Sequence, residues 1–243
     1  MPQNNNSQSG NVFLIILISI VLFAALLYSF TRSSQTGTGN LSAQQAKIAA
    51  QEILNYARLV EGAVNRVRQN GCSESDISFS NPEKWGAGTE SDYQHSPVSE
   101  DKCKIFSPEG GNLGWMTPNE SWYDQAITSC CGPRGLWHFG GNNRVIGLGT
   151  DTIGPPCKGC ELITSLLPLK EEVCSAINKE LGLGSNIPVD LDNFDNQNDY
   201  SRFSGAADFA RTDDIPISDK QGMCFLEQTG NQRYIFYYTL IVR

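Results

Sequence analysis

Nineteen consecutive residues near the start of the chain, Val12–Phe30, carry no charge and almost no polarity. At a rise of about 1.5 Å per residue a helix of that length covers about 28 Å, close to the thickness of a bilayer's hydrocarbon core. A cleavable secretory signal has a shorter apolar region and a basic start. Here the start reads MPQNNNSQSG, basic only at its α-amino group, and no small-residue cleavage site follows Phe30. The run therefore reads as a retained anchor.

Charge and cysteine usage say where the rest of the chain belongs. Residues 1–30 hold no charged side chain, so the whole net charge of −8 lies downstream. An acidic chain is a poor partner for nucleic acid, which needs a Lys/Arg face, and for anionic lipid headgroups. The eight cysteines, Cys72, Cys103, Cys130, Cys131, Cys157, Cys160, Cys174 and Cys224, all follow the apolar run. An even set outside the anchor fits an exported domain stapled by disulfides. Arg32, the nearest positive charge, lies after the run and by itself favours a cytoplasmic C-terminal part. The cysteines outweigh it, and the domain is expected outside the cytoplasm.

Along the chain, residues 31–40 (TRSSQTGTGN) read as a flexible linker. Ser42 and Gln45 make a capping box for a helix running to about Asn70, with Gly71 as its stop. In it Ala49, Ile53, Tyr56, Val60, Val64 and Val67 recur at three- and four-residue steps, which predicts one apolar stripe packed on a sheet. Short strands are predicted at Asp76–Ser80 and Lys104–Ser107, and a hairpin at Trp137–Phe139 and Arg144–Gly149 around Gly-Gly-Asn-Asn. A second helix is predicted over Glu161–Leu181, kinked or divided at Pro168, from the steps Leu162, Leu166, Leu169, Val173, Ile177 and Leu181. Residues 184–220 read as a polar loop. A closing hairpin, Met223–Glu227 and Arg233–Val242, ends in a strand apolar on both faces, which places it centrally. The expected class is α+β: a long N-terminal helix, part transmembrane and part amphipathic, on a small antiparallel sheet with a second helix and disulfides.

Signals of catalysis are sparse. His95 lies in a loop and His138 in a strand, neither beside a nucleophile motif. The glycine-rich stretch 147–154 opens no helix at phosphate-loop spacing and reads as a turn. Cys157 and Cys160 form a CxxC that, with Cys130 and Cys131, suggests a four-thiolate zinc site, a redox pair, or disulfides; export favours disulfides. The expected pairs are Cys72–Cys103 and Cys174–Cys224, with Cys130, Cys131, Cys157 and Cys160 completing the set in an order the sequence leaves open. The run VDLDNFDNQNDY supplies Asp190, Asp192, Asp195 and Asp199 as hard oxygen ligands for a possible Ca²⁺.

A short polar leader ending in Gly10, followed directly by the apolar helix, resembles the type IV pilins and type II secretion pseudopilins. The resemblance implies cleavage by a prepilin peptidase between Gly10 and Asn11, leaving a helix that packs in a filament core. Asn11 and Ile15 stand where the family usually carries Phe and Glu, and some minor pseudopilins also lack the glutamate. Certain pseudopilins bind calcium in a loop near the chain end, which bears on the aspartate run. The chain is also similar throughout to uncharacterised alphaproteobacterial pilin-like proteins. The implied organisation is a leader (1–10), a membrane or filament-core helix (11–30), a linker (31–40), an amphipathic helix (41–71) and an extracytoplasmic domain (72–243). The implied role is that of a non-catalytic subunit of a pilus or secretion-type filament, in the inner membrane or an extracellular filament, meeting other subunits. The alternatives are a permanently anchored periplasmic binding domain that never polymerises, and an envelope thiol-redox enzyme using Cys157 and Cys160.

Overall fold

The structure, a computed structural model, describes residues 10–82, 100–127, 136–143, 145, 147–150, 160–190, 219–228 and 232–243. They fall into two compact units, Met1–Gln45 and Ala46–Arg243. The described part of the first is the N-terminal portion of helix α1, Gly10–Gln69.

Residues 31–40, expected as a linker, and Ser42, expected as an N-cap, both lie inside α1. Once a helix is nucleated each further residue adds a hydrogen bond, so Ser, Thr and Gly between two strong helical stretches cost under about 1 kcal/mol apiece. The C-terminus of α1 follows the sequence closely. Arg66 and Arg68 oppose the helix dipole in the last turn. Gly71 takes a left-handed φ of 86°. Its N–H donates to the Arg68 carbonyl and that of Cys72 to Val67, a Schellman closure that only a residue without Cβ adopts without strain.

The sheet of the second unit has five strands: β1 (His138–Asn143), β2 (Glu161–Leu169), β3 (Val189–Asp190), β4 (Gly222–Glu227) and β5 (Arg233–Ile241). Their order is β1-β2-β5-β4-β3, antiparallel throughout except for the short parallel pair β3–β4. Helix α2 (Glu171–Glu180) follows β2. The architecture is α+β, with the apolar C-terminal strand β5 third of the five.

The sheet is buried on both faces. Leu162 and Leu166 of β2 and Phe236 and Tyr238 of β5 pack with α1 and α2, around Ile53, Val60, Val64, Val173 and Ile177. Ile163, Leu167, Phe225, Ile235 and Tyr237 form a second, smaller core with Val145 and Met223. Phe79 stacks on Phe139 with centroids 4.2 Å apart, and Tyr56 meets Trp137 at 5.0 Å.

Four predicted elements are replaced. The helix expected over Glu161–Leu181 is strand β2 followed by α2. A two-faced buried strand is as continuously apolar as a buried helix, and a four-residue step, Leu162 to Leu166, belongs to both periods. The three-residue step from Leu166 to Leu169 comes from an irregular register between those residues against β5. The strands expected at Asp76–Ser80 and Lys104–Ser107 reduce to a 3-10 turn (Glu74–Asp76) and one bridge, Ser78 to Lys104. Only two backbone hydrogen bonds of 2.9 Å tie them, Ser78 N–H to Cys103 O and Ile105 N–H to Ser78 O, too few to extend a ladder. The hairpin around Gly-Gly-Asn-Asn does not form, because those four residues continue β1 alongside β2. Cross-strand burial against β2 wins over the local turn preference of Asn and Gly.

Candidate functional site

The N-terminal part of α1 presents a surface with no partner among the described residues of its own unit. Leu14 to Phe23 are all exposed, the large apolar ones by 50% to 69%. Ser19, the one polar residue among them, turns its hydroxyl back to the Ile15 carbonyl at 2.8 Å and so adds no polar face. Gly10 and Asn11, the residues of the expected processing site, form the first positions of α1. Among the described residues no helix is long and apolar enough to cross a membrane, and the side chains described within Val12–Phe30 are those of residues 14–23.

The second unit is closed by covalent staples. Cys72 and Cys103 are joined, with Cα atoms 5.7 Å apart, so the end of α1 is fixed to the segment that bridges Ser78. Cys174 and Cys224 are joined at a Cα separation of 5.3 Å, which ties α2 to β4. Cys160 is buried and disulfide-bonded, and no described cysteine is free. Cys130, Cys131 and Cys157 lie outside the described residues. A disulfide-bonded Cys160 offers neither a thiolate for the zinc arrangement nor a free nucleophile.

Beside the second staple sits a residue that sequence reasoning does not single out. Asn178 of α2 is fully buried, and its amide faces the outer edge of β4. Its Oδ1 accepts the Cys224 N–H and its Nδ2 donates to the Cys224 carbonyl, both at 2.8 Å. The Leu226 N–H goes to the Pro188 carbonyl at 2.8 Å. A side-chain amide thus stands in for a neighbouring strand, and β4 shows no open edge for another chain to add to at these positions.

The remaining expected site residues are structural or lie elsewhere. His138 is buried in β1, while His95 lies outside the described residues. Asp190 is the last residue of β3, opposite Glu227; Asp192, Asp195 and Asp199 lie outside the described residues. Among the described residues no group of His, Cys, Asp or Glu is arranged to hold a metal ion. In the glycine-rich stretch, Gly147 and Gly149 take left-handed φ values of 77° and 70°. The stretch serves the C-terminus: Thr150 N–H donates to the Arg243 carbonyl at 2.5 Å, and a Cβ on Gly149 would stand 1.9 Å from that oxygen.

Several ionisable groups of the domain are engaged within its framework. Arg233 and Glu227 pair while buried at the β4–β5 end. The Tyr238 hydroxyl donates to Glu61 at 2.9 Å, and burial, reinforced by that carboxylate, pushes it up to about 12. Burial also raises Tyr56 to about 12, although the Met116 N–H that its oxygen accepts partly offsets the rise. Comparison with protein-family models, with curated proteins and with solved structures finds no match to this chain.

Proposed function

We propose that the chain is a pilin-like or pseudopilin-like structural subunit, held in the inner membrane or in a filament core by its N-terminal helix. One observation carries the reading: nine apolar side chains among ten consecutive exposed positions, Leu14–Phe23, on helix α1. A helix apolar on all sides reaches low free energy only in lipid or among other apolar helices. Burying such a face contributes about 25 cal/mol per Å², and leaving it in water forfeits all of that.

The second unit supports the same reading. Two described disulfides staple an acidic α+β domain, as expected for an oxidising compartment. Several of its ionisable groups, Arg233 with Glu227 and Tyr238 with Glu61, serve the framework, which suits a domain whose work is to present a surface. Assembly is the mechanism: apolar helices bundle, and the domain's face selects neighbours or cargo. Calcium held by the run from Asp190 to Asp199 belongs to this proposal as a stabiliser of the loop that carries it.

Mass spectrometry of the full chain isolated from membranes tests the reading. A mature N-terminus at Asn11 supports a processed subunit. An intact Met1 points to the permanently anchored binding domain, which the departures at Asn11 and Ile15 from the family pattern favour. Recovery of the protein from the aqueous fraction without detergent would defeat both.

A further inference from the structure

Between Ala46 and Gln69, helix α1 carries six charged side chains, and five are engaged. Lys47 pairs with Glu180 at 3.8 Å and Arg68 with Glu74 at 3.3 Å. Arg66 donates to the Gly111 carbonyl at 2.5 Å. Glu61 accepts from Tyr238 and Gln221, and Arg58 reaches the Tyr238 hydroxyl. Glu52 is the sixth. It is exposed and has no ion pair or hydrogen bond.

Glu52 borders a groove of about 370 Å³ between α1 and the segment that ends at Trp122. The far wall is held in place: the Tyr56 hydroxyl donates to the Gly114 carbonyl at 3.2 Å and accepts the Met116 N–H at 3.1 Å. Asn119 caps the following 3-10 turn by accepting the Ser121 N–H at 2.9 Å. That leaves the Asn119 NH₂ and the whole Asn55 amide for a ligand. Leu59, 49% exposed, and the half-buried Met116 supply an apolar seat beside them. The site is preformed, and its size is at the low end of ligand pockets, about 300–1,000 Å³.

One carboxylate without a counter-charge, two amides able to meet backbone groups, and one apolar seat match one kind of occupant. We propose that this groove docks an extended segment of a partner protein in which a Lys or Arg is followed by a bulky apolar side chain. The cation supplies the charge that Glu52 lacks, and the apolar side chain covers Leu59 and Met116. The acidic balance of the chain, −8, draws such a partner in from a distance.

The probe is the blocked dipeptide acetyl-Lys-Leu-amide, added at millimolar concentration to the isotopically labelled full chain in detergent micelles and followed by NMR. Acetyl-Glu-Leu-amide and acetyl-Lys-Ser-amide are the controls. Shifts should gather on Leu59, Met116, Asn119 and the Trp122 indole, and be strongest for the first peptide. E52Q should weaken binding about two- to fivefold and erase the preference for Lys over Glu, as should added salt. E52D should keep that preference, and L59S should erase the preference for Leu over Ser. Equal shifts from acetyl-Glu-Leu-amide, scattered shifts, or no shifts would overturn the proposal. So would shifts of the same resonances on concentrating the protein alone, which would make a second copy the occupant.

Discussion

The two described stretches of α1 use the same kind of residue in opposite ways. From Ala46 to Val67 eleven apolar side chains are buried against the sheet, and the exposed large ones are Ile48 and Leu59. From Leu14 to Phe23 none is buried. Periodicity makes the difference. The first stretch interleaves Lys47, Glu52, Arg58 and Glu61 with its apolar stripe, so one face can meet a core and the other water. The second has no polar face, so no folding of its own unit can shelter it. One stretch is given to the fold of the second unit, and the other shows no buried face.

A buried charge breaks this contrast hardest. Val60 is fully buried, and Val60→Asp should cost more than about 4 kcal/mol by placing a carboxylate in the core with no cation beside it. Leu17→Asp, on the exposed stretch, should change domain stability by less than about 0.5 kcal/mol. Its penalty belongs elsewhere: about 2.5–3.5 kcal/mol against residence in a bilayer. Urea unfolding followed by circular dichroism reads the first effect and membrane fractionation the second. If Leu17→Asp unfolds the domain as Val60→Asp does, the two halves are not independent.

The staples sharpen the contrast next. Replacing Cys174 and Cys224 together by Ala, or Cys72 and Cys103 together by Ala, should each lower stability by about 2–4 kcal/mol. The first opens the wider loop, with a sequence separation of 50 against 31, so it should cost slightly more in a chain-entropy account. Membrane retention should not move in either variant, since both cysteine pairs lie within the second unit. Thermal midpoints of the two double variants, compared with the parent, give the order.

What could be read from the sequence follows from how local each signal is. The Gly71 stop, the apolar stripe of α1 and the central place of β5 all rest on short-range pattern, and each is present in the fold. The run Glu161–Leu169 could not be read the same way, because burial on both faces removes the alternation that marks a strand. Residues 31–40 misled for a different reason, since composition describes a segment's own preference and not what its neighbours impose. Asn178 carried no signal at all. A single amide within an amphipathic helix looks like surface until the edge of β4, far along the chain, is brought against it. The groove at Glu52 is likewise invisible in sequence, because it needs Tyr56 to hold a segment sixty residues away, at Met116.

Asn178→Ala should come third in size, at about 1–3 kcal/mol, because it leaves the Cys224 N–H and carbonyl buried without partners. Hydrogen exchange at the Cys224 amide separates this from a general loosening. It should speed up more than the amides of β5, and equal acceleration throughout the sheet would show that Asn178 only packs.

The smallest effect comes from pH. The Tyr56 and Tyr238 hydroxyls are raised from 10.0 to about 12, so the folded domain holds these protons more tightly than an unfolded chain does. Their contribution is complete below pH 10 and is lost as pH climbs from 10 toward 12. Tyr238→Phe should cost about 1 kcal/mol at neutral pH, through the hydrogen bond to Glu61, and should flatten part of the alkaline decline. Urea midpoints measured across that window for parent and variant provide the check; an unchanged slope would remove Tyr238 from the account. The exposed positions Leu14–Phe23 include no titratable group, so on their account membrane retention should stay level over the same range. A retention that fell in step with domain stability would mean that the apolar helix depends on the domain's fold after all.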